Sequence, residues 1–316
     1  MAGLPLLAAA GAGVGAGVGA RAGLAAEQAS QDAAAMGIGI ATFQFRGVTN
    51  AELAKQLSDA GFHTIQLFLS QSDSNYWRYN SRNDLSDLTP ERCKAIAETY
   101  RQAGIAIHSM GVYTNLIHPD PEERSANLAY FDAMMQVGRH MGVATFITEA
   151  GHYRPEAPSP GVPYDFREST WDLLLQTFRE LGVLAQRNEA TVLIEPSFLS
   201  FFASAKRTRV FLEQLDCPQI RVLLDPANLI ELNDLDEMFT QLAPWIDCLH
   251  AKDRKLHTER GVAAGEGDVD YVKFVSLAAK HTPTAPLILE YVDAGSYQAA
   301  LAHLRGAMRE AGLRER

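Results

Sequence analysis

The sequence predicts an α/β protein: a (β/α)8 barrel forming a single domain over residues 36–316, after an Ala/Gly-rich leader over residues 1–35. Three observations carry this. Eight short apolar runs of β-forming composition recur from Gly37 onward. Segments of helical length and amphipathic spacing separate them in strict alternation. The runs are continuously apolar, which suits strands buried on both faces of a parallel sheet.

In order, GIGIATF (37–43) leads into NAELAKQLSDAG, a helix opened by Thr49 and stopped by Gly61. TIQLFLS (64–70) is followed by a polar loop (71–88) and by TPERCKAIAETYRQAG. There Thr89 is the N-cap, Pro90 takes the first helical position and Gly104 ends the helix. IAIHSMGV (105–112) precedes a helix over 122–141, and ATFITEAG (144–151) precedes a loop (152–165) and a helix over 166–187. TVLIEPS (191–197), IRVLLDPAN (220–228), IDCLHAKD (246–253) and PLILEYV (286–292) precede helices over 204–215, 233–243, 269–280 and 296–312. A doubly wound open sheet is the alternative. No GxGxxG follows the first run, and the glycines of GAGVGAG (11–17) lack a strand before them.

Composition narrows the function. The chain has 316 residues, 47% hydrophobic and 21% charged, with a net charge of −10. These values exclude a disordered chain, a collagen and a disulfide-stapled miniprotein. The acidic balance argues against nucleic acid as a partner, because that binding neutralises phosphates with Lys and Arg. Cys93, Cys217 and Cys248 form no CxxC pair and read as reduced thiols. The leader has an apolar stretch and the cleavage-like Ala20-Arg21-Ala22, but no basic start. Two readings stay open: an export signal beginning upstream of Met1, which makes the protein exported or periplasmic, and a disordered tail on a cytoplasmic one. Its Gly and Ala density argues against a stable membrane span.

Function should sit where the long loops follow strands, at the C-terminal mouth. Tyr76, Trp77, Tyr79, Tyr153 and Tyr164 in these loops either wall a pocket or pack on one another. Several apolar runs end in ionisable residues: Glu195 in TVLIEP, Asp225 in VLLDP, His250 in DCLHAKD and Glu290 in LILEYV. Taken singly, a glutamate pairs with a lysine, Asp225 caps the turn before Pro226, and His250 is a hydrogen-bonded core imidazole. Taken together, on successive strands, they meet at one height. Three carboxylates in one desolvated place repel, and one divalent ion with oxygen and imidazole ligands (Mn²⁺, Mg²⁺ or Co²⁺) relieves the repulsion.

From Gly37 to about Arg309 the chain resembles the xylose isomerase-like TIM barrel superfamily, the sugar phosphate isomerase/epimerase family, whose fold endonuclease IV shares. The motifs are IEP, LLDPAN, LHAKD, GEGDVDY (265–271) and ILEY. The resemblance implies that Glu195, Asp225, His250 and Glu290 hold one divalent ion. From the 3-epimerase branch it implies that Glu195 and Glu290 are also catalytic, moving protons through an enediolate. Two positions depart from the pattern. Asn228 stands where many relatives carry His, and Gln66 where many carry Glu. Asn228 and the net charge argue against a three-metal nuclease.

His108 and Glu149, at the ends of the third and fourth runs, join Asn228 and Lys252 as expected substrate-binding residues. Each has a structural alternative in core or surface pairing. Asn115 and His118 are loop residues within reach of a ligand. Lys252, Arg254, Lys255 and Arg260 make one loop basic, as a phosphate site or as a solvated charge run. The expected function is a divalent-metal-dependent isomerase or epimerase of a small-molecule carbohydrate. A metal-dependent dehydratase and a non-catalytic sugar-binding barrel are the alternatives, and a homo-oligomer is left open.

Overall fold

Parallel strands succeed one another in chain order and close on themselves. They are β1 (Ile38–Ala41), β2 (Thr64–Leu67), β3 (Ala106–Gly111), β4 (Thr145–Thr148), β5 (Thr191–Ile194), β6 (Ile220–Leu224), β7 (Ile246–Lys255) and β8 (Leu287–Leu289). β8 pairs with both β7 and β1, so the sheet has no free edge in the barrel. The helices that follow them are α1 (Asn50–Asp59), α2 (Pro90–Gln102), α3 (Pro121–Met141), α4 (Glu168–Arg187), α5 (Ala205–Leu215), α6 (Leu235–Leu242), α7 (Tyr271–His281) and α8 (Tyr297–Glu310). The predicted (β/α)8 barrel is therefore the observed fold. The computed structural model describes residues 34–153 and 163–316, so most of the leader and the middle of the 152–165 loop lie outside the described residues.

The local signals act as expected. Thr49 and Glu52 form a reciprocal capping box, with Glu52 N–H donating to Thr49 Oγ1 (3.2 Å) and Thr49 N–H to Glu52 Oε2 (2.8 Å). Thr89 caps α2 ahead of Pro90, and Gly104 leaves the helix at φ +75°, where a side chain would be strained. Among the described residues no helix is long and apolar enough to cross a membrane.

Strand alternation places the site. Successive residues face opposite sides of the sheet. Outward residues such as Phe146, Val192, Val222 and Leu287 join Phe131, Phe178, Phe211 and Phe274 of the helices in the main core. Each such aromatic contributes ~1.5–3 kcal/mol on burial. Inward residues Ala41, Phe68, Ile147, Leu193, Leu223, Cys248 and Ile288 form a second cluster with Tyr113. Two residues further along these strands, on the same face, come Glu149, Glu195, Asp225, His250 and Glu290. An apolar plug thus supports a layer of ionisable side chains at the C-terminal mouth.

Two irregularities break the pattern. Ile65 pairs with Ile107 but Gln66 with Ser109, so His108 is an extra residue in β3. Val222 pairs with Ile246 but Leu223 with Cys248, so Asp247 is an extra residue in β7. The basic segment expected as a loop continues β7 to Lys255 and turns back as an antiparallel strand over Glu259–Ala263. Asp253 ties the GEGDVDY segment to this hairpin by accepting from Gly265 N–H (3.1 Å) and Val269 N–H (3.0 Å).

Candidate metal centre

Glu195, Asp225, His250 and Glu290 each offer a ligand atom, all within 4.8 Å of one another, and all four residues are buried. His250 sits at the centre. Its Nε2–H donates to Gln66 Oε1 at 3.0 Å. An amide oxygen only accepts, so this bond keeps a proton on Nε2, and in the neutral imidazole the Nδ1 lone pair faces inward. Nδ1 lies 3.3 Å from Glu195 Oε1, 3.4 Å from Glu290 Oε2 and 3.9 Å from Asp225 Oδ2, and has no hydrogen-bond partner. A nitrogen facing three carboxylate oxygens calls for a positive charge between them, which a proton on Nδ1 supplies below about pH 8 and a metal ion supplies when bound. The donor set of one imidazole and three carboxylates fits a divalent ion.

Each ligand is held from behind. Asp225 Oδ1 accepts from Ala227 N–H (2.9 Å), capping a single helical turn over Pro226–Leu229, while Oδ2 faces the centre. One oxygen of Asp225 thus makes the expected cap, and the other is turned towards the other three side chains. Glu195 accepts from Tyr113 Oη (2.7 Å) and from Asn228 Nδ2 (2.9 Å). Lys252 Nζ reaches Asp225 Oδ2 (2.6 Å), Glu290 Oε2 (3.0 Å) and Asn228 Oδ1 (3.0 Å). Glu149, further round the mouth, accepts from Tyr79 Oη at 2.6 Å.

The charges pull one another far from their ordinary behaviour. Burial raises Glu195, but His250, Lys252 and the Tyr113 bond outweigh it and hold its pKa at about 2. Burial depresses His250, yet Glu290 and Glu195 hold it at about 8. Burial pushes Glu149 up to about 7, with Glu195 adding to the shift. Burial alone would lower Lys252, but Asp225 and Glu290 keep it well above the usual lysine range.

The centre lies at the base of a cavity of about 450 Å³. Of the expected residues, Glu149, Glu195, Asn228, Lys252 and Glu290 line it; Asp225 and His250 lie beneath, fully buried. His108 does not belong to it. The bulge at His108 takes the residue out of the alternation, leaving its Nδ1 3.1 Å from Ser109 Oγ and its charge interaction with Asp247 near the start of β7. Asn115 instead clamps the following loop, bonding His152 through both backbone groups (2.8 and 3.1 Å), and His118 Nδ1 accepts from Asp120 N–H (3.1 Å).

The loop aromatics divide. Trp77 and Tyr79 line the cavity, Tyr76 is core, and Tyr153 stacks on Tyr164. The basic segment is half buried and half solvated, with Lys255 and Arg260 exposed. Lys252 and Arg254 are buried, Arg254 pairs with Glu231 (3.2 Å), Lys255 pairs with Glu259 (2.8 Å), and Arg260 lines the cavity. Sequence reasoning missed Phe43, Phe68, Tyr113, His152 and Tyr291 as cavity residues. Phe68 shares the inward parity of Gln66 and was legible in principle, whereas Tyr113 faces inward only because of the bulge at His108. Tyr291 adopts φ +57°, which no sequence signal announces.

Fold and site together define a closed (β/α)8 barrel with a buried carboxylate–imidazole cluster at its C-terminal mouth. The chain belongs to the xylose isomerase-like TIM barrel family, whose model matches residues 54–309. No curated protein matches it by sequence. Among solved structures it resembles the 3-keto-D-glucoside 4-epimerase of E. coli, at TM-score 0.66 and 15% identity over 86% of this chain and 99% of that one. It also resembles the probable 3-DHS dehydratase involved in petrobactin synthesis from Bacillus anthracis, at TM-score 0.67 and 15% identity over 85% and 98%. A xylose isomerase-like TIM barrel protein from Mycobacterium smegmatis, in complex with magnesium, matches at TM-score 0.64 and 16% identity over 90% and 98%. At these identities the likeness is one of fold.

Proposed function

We propose that the protein is a divalent-metal-dependent isomerase or epimerase of a sugar or sugar derivative, acting through an enediolate. The observation that carries this is an orphaned imidazole nitrogen at the base of a cavity, facing two carboxylates, Glu195 and Glu290, that also line that cavity. A bound Mn²⁺, Mg²⁺ or Co²⁺ supplies Lewis-acid stabilisation of charge developing on a substrate oxygen. The chain supplies the rest. Glu195 and Glu290 flank His250 Nδ1 at 3.3 and 3.4 Å and both face the cavity, so one takes the proton beside the carbonyl and the other returns it. Tyr113 and Asn228 fix the Glu195 carboxylate. Phe43, Phe68, Trp77 and Tyr291 present ring faces and edges to the apolar side of a sugar and exclude water.

The test is proton exchange. With Mn²⁺ present and a panel of ketoses in deuterated water, the expected result is deuterium uptake at the carbon beside the carbonyl without loss of water. Loss of water identifies a dehydratase, the reading favoured by the additional cavity carboxyl of Glu149 under the Tyr79 hydroxyl. Sugar binding with neither outcome identifies a non-catalytic binding barrel.

A further inference from the structure

Lys252 is 3% exposed, and its ammonium donates to Glu290 Oε2 and to the Asn228 amide oxygen and forms an ion pair with Asp225 Oδ2 at 2.6 Å without hydrogen-bond alignment. The ring of Tyr291 covers it at 4.6 Å. The oxygens it touches, Asp225 Oδ2 and Glu290 Oε2, are the same atoms that face His250 Nδ1. Three oxygens from three side chains around one small cation form the kind of cage a metal ion takes, filled here by a side chain of the protein itself.

We propose that Lys252 is a second, built-in cation of the centre, sharing the Asp225 and Glu290 oxygens with the divalent ion and giving a substrate oxygen a second positive partner. The proposal rests on the metal-dependent reading above. The charge count supports it: three carboxylates and one ammonium leave two negative charges when His250 is neutral, which one divalent ion cancels. Lys252 also lines the cavity, so its charge is presented to whatever is bound there. Asn228 fits the same role, because its amide oxygen accepts from the ammonium while its amide nitrogen donates to Glu195.

The sign of one measurement separates this role from a structural one. Two cations that share ligand oxygens repel. If Lys252 is the second cation, neutralising it tightens Mn²⁺ binding; if it only props Asp225 and Glu290 in place, neutralising it loosens binding. Calorimetric Mn²⁺ titration of chelator-stripped wild type, Lys252→Met, Lys252→Gln and Lys252→Arg decides. The expected result is about tenfold or greater tightening in Met and Gln, with Arg close to wild type. Deuterium exchange into ketoses should slow in Met and Gln despite their tighter metal.

Equal or weaker Mn²⁺ binding by both neutral variants, with wild-type melting curves, overturns the proposal and leaves the metal-dependent reading intact. Wild type that binds Mn²⁺ but exchanges no substrate proton defeats the isomerase reading alone, and the affinity comparison still decides the role of Lys252. Wild type that binds no Mn²⁺ overturns both.

Discussion

Gln66→Leu removes the acceptor that fixes the proton on His250 without touching any ligand atom. The bond is 3.0 Å long, and both residues are fully buried, so no water replaces the lost oxygen. Two effects follow. An unsatisfied buried N–H costs ~1–3 kcal/mol. The imidazole then gains by moving its proton to Nδ1, where the Glu195 and Glu290 oxygens accept it at 3.3 and 3.4 Å, and in that tautomer Nδ1 has no lone pair for a metal. The metal-bound form must keep that cost, whereas the metal-free form escapes it by the proton shift, so at ~1.4 kcal/mol per tenfold the two effects together correspond to roughly 5–150-fold in affinity. Loss of an outer partner of a metal-ligating histidine ordinarily costs ~10–100-fold. The Mn²⁺ Kd from calorimetry should therefore rise about 10–100-fold, and the ¹⁵N spectrum of the metal-free variant, recorded above pH 8 where the imidazole is neutral, should show its proton on Nδ1 in place of Nε2. Gln66→Glu keeps the acceptor and should retain tight binding. A Leu variant that melts like wild type and keeps its Kd within about threefold would refute the tautomer argument.

Further outcomes are expected. Glu290→Gln, assayed at saturating Mn²⁺, should lose about 10²–10⁴-fold in exchange rate while remaining folded; full activity would remove Glu290 from the proton chemistry. Because Glu290 and Glu195 overcome burial and hold His250 at about 8, metal binding at lower pH must displace a proton. Mn²⁺ affinity should thus fall by up to about tenfold per unit as pH drops from 8 to 6, with proton uptake by the buffer; a flat profile would contradict this. Gly138→Ala places a Cβ 2.9 Å from the Val143 carbonyl oxygen and against the Phe146 ring, where α3 meets β4. Overpacking of ~1–3 kcal/mol should outweigh the ~1 kcal/mol gain in helix propensity, so the urea midpoint should fall; a midpoint at or above wild type would show that the contact yields.

The barrel was legible because each strand reads as an apolar run and its helix is punctuated by caps. Thr49, Thr89 and Gly104 all act as their residue types require. The gathering of Glu195, Asp225, His250 and Glu290 was legible because each stands two residues beyond an inward apolar residue. The same rule failed for His108, since an inserted residue in β3 shifts the parity and no residue type there announces it. The hairpin after β7 was missed because Lys255–Arg260 is polar except for Leu256, and its turn is tied down by Asp253 gathering backbone N–H groups from residues 265 and 269. The cage around Lys252 was hidden for a different reason. Its distances join Asp225, Asn228 and Glu290, residues 24 to 38 positions away in the chain.

The central claim is that the four side chains at the barrel mouth are a metal centre. Anomalous diffraction from crystals soaked in Mn²⁺ tests it most directly. A single peak ligated by Glu195, Asp225, His250 Nδ1 and Glu290 is the predicted result. A cluster without a peak at saturating Mn²⁺, or a peak held by other residues, would contradict it.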